Sequence, residues 1–163
     1  MKQSFFIIVL CSVFSSLLSQ TPKSILQKFK QADSIVVISH ISIWERINLP
    51  PDSIKGDRCG LFCNGTLNKS ILLQRKQLTF EQRKNLLKVI SQPITAPPVE
   101  GGCFDPHHAL LLYKKGDLSY IHICFSCGSS VASKDLSATF FYYDPLKKFF
   151  KSVGLNTELG QHR

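Results

Sequence analysis

Two short stretches concentrate the side chains able to do chemistry: Cys103-Phe104-Asp105-Pro106-His107-His108 and Cys124-Phe125-Ser126-Cys127. Thiols and imidazoles serve as structural cross-links, soft metal ligands or nucleophiles, so three readings compete for the set. In an oxidising compartment Cys103 is placed to pair with Cys124 or Cys127. As a metal site, Cys103, Cys124 and Cys127 with His107 or His108 make a Cys3His set that suits tetrahedral zinc, and soft thiolates also accept copper(I). Only Cys124-x-x-Cys127 has the compact two-residue spacing, whereas Cys59-x-x-x-Cys63, a possible second pair, is looser. The zinc pattern is therefore incomplete. The third reading is thiol chemistry, with Cys124-x-x-Cys127 as a redox pair or Cys103 activated by His108 and oriented by Asp105. Only 36 residues follow Cys127, too few to complete a thioredoxin-like fold, and Gly128 stands where a c-type haem site needs its histidine.

These residues must be brought together by a hairpin. Residues 109–113 and 118–124 are strand-like, and Lys114-Lys115-Gly116-Asp117 is a turn between them. Antiparallel pairing sets His108, at the start of one strand, beside Cys124, at the end of the other. The rest of the chain supplies helices and further strands. Residues 22–33 read as a helix with Thr21 as cap, Pro22 in the first turn, and Ile25, Phe29 and Ala32 on one face. Residues 34–43 hold a β-branched run and read as a strand; Trp44-Glu45-Arg46 and His40 near its end are expected to cover the core edge. Pro50-Pro51 breaks the chain, residues 55–58 turn, and shorter strands are expected over 60–64 and 71–75. Thr79 and Gln82 have capping-box spacing, which starts a helix with Phe80, Leu86, Leu87 and Ile90 on its apolar face and Arg83, Lys84 and Lys88 in water. A Pro- and Gly-rich loop follows over 93–102, and residues 140–143 suggest a short strand. Asp144-Pro145 opens a last helix whose Leu146, Phe149, Phe150 and Val153 form a core stripe, with Gly154 as its stop and a polar, frayed tail beyond. The sum is a single α+β domain over residues 20–163, an antiparallel sheet with about three packed helices.

The first nineteen residues have the order of an export signal: Lys2, an apolar run from Phe5 to Phe14, then small residues up to Ser19. Cleavage is expected near Ser19/Gln20, and an apolar core of about ten residues is too short to anchor permanently in a ~30 Å hydrocarbon layer. Leu10 before Cys11 and the short segment upstream argue against lipidation there. The expected location is therefore secreted or periplasmic, with no transmembrane segment in the mature chain. The formal charge is +9, which favours anionic envelope surfaces as partners. The basic residues are scattered over predicted helix faces, among them Lys28, Arg75, Lys88 and Lys151, and this gives little support to nucleic acid. There is no phosphate-cradling glycine loop, paired-carboxylate motif or serine elbow. The leading functional expectation is a non-enzymatic protein whose Cys/His cluster is structural, by disulfide or metal. A metal-binding or thiol-redox protein using Cys103, His108, Cys124 and Cys127 is the alternative, and a module for anionic envelope polymers the second.

The string Cys103-Phe104-x-Pro106-x-His108, followed by Ile123-Cys124-Phe125-x-Cys127 and a closing Phe149-Phe150-x-x-x-Gly154-Leu155, resembles a group of uncharacterised exported bacterial proteins of Bacteroidota type. The likeness covers roughly residues 75–155, including the Leu78-Thr79-x-Glu81-Gln82 helix start. It implies export and carries no activity with it.

Overall fold

The computed structural model describes residues 21–47, 60–94, 104–139 and 141–159. The export signal, Pro50-Pro51, the 55–58 turn, Cys59, Cys103, Phe140 and most of the Pro/Gly loop lie outside the described residues. In chain order the elements are α1 (Lys23–Gln31), β1 (Ser34–His40), α2 (Ile43–Ile47), β2 (Phe62–Cys63), β3 (Thr66–Leu67), β4 (Leu72–Gln77), α3 (Phe80–Ile90), β5 (His108–Lys114), β6 (Asp117–Cys124), β7 (Ser129–Ala132) and α4 (Tyr143–Ser152). Short 3-10 turns lie at Lys69–Ile71 and Lys134–Leu136. Five strands form one antiparallel sheet in the order β4-β1-β5-β6-β7, while β2 and β3 pair as a separate small ribbon. The architecture is α+β, as the sequence predicts.

Alternation along the strands sorts the core into two layers. Ile35, Val37, Leu110, Leu112, Ile121 and Ile123 face α1, α3 and α4, meeting Phe29, Leu86, Ile90, Leu146 and Phe150. Val36, Ile38, Ala109 and Leu111 face the other way, toward Leu61, Ile71 and Phe62. β1 is apolar on consecutive positions because both of its sides are covered, the composition expected of a central strand. The hairpin turns at Lys115 and Gly116, whose φ values of 51° and 91° are those of a two-residue type I′ connection.

Several local expectations need correction. Pro22 occupies the N-cap position of α1, and its carbonyl accepts from the Ile25 and Leu26 amides. The chain after His40 leaves the sheet and forms α2, so Trp44-Glu45-Arg46 belongs to a helix. Residues 62–63 pair with 66–67 outside the main sheet, and residues 129–132 add a strand that their short serine-rich run did not announce. Phe80 is 70 % exposed: it stands on the first turn of α3, where Lys84 Nζ lies 4.5 Å from its ring centroid. The capping box is present as read, with Gln82 N–H donating to Thr79 Oγ1 and Thr79 N–H to Gln82 Oε1. Arg83 turns inward, and its guanidinium donates to the Phe29, Lys30, Ala32 and Asp33 carbonyls. It thereby supplies donors for the C-terminal carbonyls of α1. Residues 141 and 142 lead directly into α4, whose N-cap position is Tyr142. The tail is docked, with Leu155 and Thr157 buried and the Leu155 amide donating to Phe150 O.

Candidate functional site

The hairpin register sets the site. His108 pairs with Ile123, and Cys124, the last residue of β6, pairs with Ser129 at the start of β7. The intervening turn brings the Cα atoms of Cys124 and Cys127 to 5.4 Å, inside the range a disulfide spans, and the two are bonded. Gly128, at φ 58°, supplies the left-handed residue that returns the chain into β7. This corrects the expectation that Cys103 bridges to Cys124 or Cys127: bonded to each other across a four-residue turn, the two leave no sulfur for it, and Cys103 itself lies outside the described residues. Cys63 is also disulfide-bonded.

Two donors converge on the inner sulfur. The Cys127 amide donates to Cys124 Sγ at 3.2 Å, and Ser126 Oγ lies 3.3 Å from the same atom. A bonded Cys124 carries no thiol proton, so the serine hydroxyl is the donor. Cys124 is buried, Cys127 is partly exposed and Ser126 is exposed. Phe125 points back into the molecule, with its ring 4.8 Å from His108 and 5.2 Å from Phe150.

His107 and His108 are neighbours in sequence and go to opposite faces of the sheet, so they do not act on one centre. His108 lies on the helix side. Its Nε2–H donates to the Asn156 carbonyl at 2.8 Å, while Nδ1 is buried without a hydrogen-bond partner. Burial pushes its pKa from 6.5 to about 4, so the ring is neutral near pH 7. His107 lies on the other side, where Nδ1–H donates to Asp105 O at 3.0 Å. Its Nε2 approaches Glu45 Oε2 at 3.2 Å and Asp105 Oδ2 at 3.9 Å, and neither contact has hydrogen-bond alignment.

Sequence reasoning missed this second face as a polar assembly. His40 donates Nδ1–H to Ile41 O at 3.0 Å, and burial, followed by the nearby His107, lowers its pKa against the pull of that hydrogen bond. His122 stacks on Phe62 and approaches Tyr120, with ring centroids at 5.7 and 5.1 Å. Burial, then His40, lowers the His122 pKa to about 4. Glu45 is held in place by a reciprocal cap: the Ser42 amide donates to Glu45 Oε2, and the Glu45 amide to Ser42 Oγ. Ser42-x-x-Glu45 has the spacing of Thr79-x-x-Gln82, and that signal identifies both α2 and the fixed carboxylate.

Apart from Cys63 in the small ribbon, the described cysteines and histidines thus divide into a disulfide turn, one helix-side histidine and a polar face. Among the described residues no group of three His, Cys, Asp or Glu side chains is placed to hold a metal ion. No helix among them is long and apolar enough to cross a membrane. The chain matches no known protein family, no curated protein and no solved structure.

Proposed function

We propose that this chain is an exported or cell-envelope domain whose cysteine cluster works as a disulfide centre, with His108 as a structural partner of the turn. The observation that carries the reading is that Cys124 is bonded to Cys127 while His108 is committed to the Asn156 carbonyl and packed against Phe125 and Phe150. A zinc or copper site on these residues would need both sulfurs as thiolates and an imidazole lone pair turned toward them. The bond instead occupies both sulfurs, and Phe125 between the two cysteines anchors the turn on the helix-side core. In support, the order of charged, apolar and small residues at the start of the sequence is that of an export signal, and export favours oxidised cysteines.

The test is a thiol count with elemental analysis on protein recovered from an oxidising compartment. The reading expects no alkylation at Cys124 or Cys127 before reduction, and no stoichiometric zinc or copper. About one metal ion per chain, with both cysteines alkylated once it is chelated, would replace the disulfide centre by a metal centre.

A further inference from the structure

We propose that the Cys124–Cys127 disulfide is exchange-active: it accepts an electron pair from a dithiol, with Cys127 the sulfur attacked and Cys124 the leaving thiolate. This rests on the pairing in the proposed function and adds a substrate class to it. Three observations carry it.

The two cysteines differ in exposure. Cys124 is 2 % exposed, whereas Cys127 is partly exposed beside the exposed Ser126. An incoming thiolate therefore reaches Cys127. The surroundings of Cys124 suit the opposite role. The Cys127 amide and the Ser126 hydroxyl both point at its Sγ, at 3.2 and 3.3 Å. A bonded sulfur is a weak acceptor and a thiolate a strong one, so both hydrogen bonds strengthen as the S–S bond breaks. Stabilising the departing thiolate lowers its basicity and speeds exchange. Finally, the turn does not depend on the bond. Ile123 pairs with Ser130 and Cys124 with Ser129, and Phe125 is held against His108 and Phe150, so β6 and β7 stay joined when the sulfurs part.

In the forward step a substrate thiolate attacks Cys127 Sγ. A substrate–Cys127 disulfide forms, the Cys124–Cys127 bond breaks, and its electron pair leaves on Cys124 as thiolate. The substrate's second thiolate then attacks its own sulfur of the mixed disulfide and expels Cys127 as a thiolate. The substrate is oxidised from dithiol to disulfide, the protein is reduced by two electrons, and the protons released by the substrate thiols go to solvent or to the two new thiolates. A substrate with one thiol stops at the mixed disulfide or needs a second molecule.

The experiment uses the full chain in a ladder of reduced and oxidised glutathione, trapped by alkylation and read by peptide mass over residues 124–127. Exchange activity predicts that the pair is reduced at accessible glutathione ratios with the circular dichroism of the fold unchanged. It also predicts that Ser126→Ala slows reduction by roughly three- to tenfold, the loss of one donor to the leaving sulfur. In a Cys124→Ser variant, glutathione should be trapped on Cys127. A pair that stays oxidised across the whole ladder, opening only with dithiothreitol as the fold is lost, overturns the exchange proposal and leaves the pairing intact. Both cysteines alkylated in untreated protein would overturn the pairing itself.

Discussion

The two faces of the central sheet make opposite uses of the same residue type. On the helix side His108 stands alone among aromatic and aliphatic side chains, with one backbone hydrogen bond and Phe125 and Phe150 around it. On the other side His40, His107 and His122 gather with Glu45, Asp105, Tyr120 and Phe62. The first arrangement treats imidazole as a flat apolar body with one polar tip. The second is a set of interacting polar groups, and His40 lowers the pKa of His122 across it. What decides between them is the strand period: a step of one residue, from His107 to His108, moves a side chain from one environment to the other.

The comparison can be broken most forcefully from the helix side. Phe150→Ala removes a fully buried ring that touches both His108 and Phe125, and should cost about 3–5 kcal/mol in chemical denaturation. The same truncation at Phe80, which is 70 % exposed, should cost less than about 0.5 kcal/mol. Equal losses would mean that the helix layer is not the core described above.

Acid should act next, and on both faces. The folded values of His108 and His122 lie at about 4, below the ordinary 6.5, so the unfolded chain binds more protons between those values. Their contribution is therefore present above pH 6.5, is lost as pH falls toward 4, and changes no further below it. Each is worth up to about 3 kcal/mol by linkage. Urea midpoints across this range should fall, and His108→Gln should flatten part of the fall. A profile level from pH 7 to 4 would contradict the neutral, buried state of both rings.

Cross-linking has a smaller expected effect. A disulfide closing a four-residue turn removes little chain entropy, so Cys124→Ser with Cys127→Ser should lower stability by about 2 kcal/mol or less. Thr79→Ala, which breaks one half of the α3 capping box, should cost about 1 kcal/mol and leave both sheet faces unchanged.

What could be read from the sequence follows from how local each signal is. The β5–β6 hairpin is legible in its Lys-Gly turn between two strand-like runs, and the α3 start in Thr79 and Gln82; both depend on residues a few positions apart. The stripe of Leu146, Phe149, Phe150 and Val153 was legible for the same reason. The partner of Arg83 was not, because the α1 carbonyls it meets lie some fifty residues earlier in the chain. Nor was the burial of the tail, since the contact between Asn156 O and His108 joins residues 48 apart. At the site, the strand pattern sets His108 beside the end of β6, and the register places it opposite Ile123. The pattern could not tell which cysteine meets which, because the Cys124 to Cys127 turn depends on the backbone at Gly128. The polar face was hidden because its members come from β1, α2, the entry to β5 and β6, with only Ser42-x-x-Glu45 as a local sign.

The most direct test of the account is a proteolytic map of unreduced protein, with free thiols blocked before digestion. The account predicts a single peptide holding Cys124 and Cys127 that is two hydrogens lighter than its reduced form and unlinked to any other peptide. Cys124 or Cys127 found cross-linked to a different cysteine peptide, or both blocked as free thiols, would contradict it.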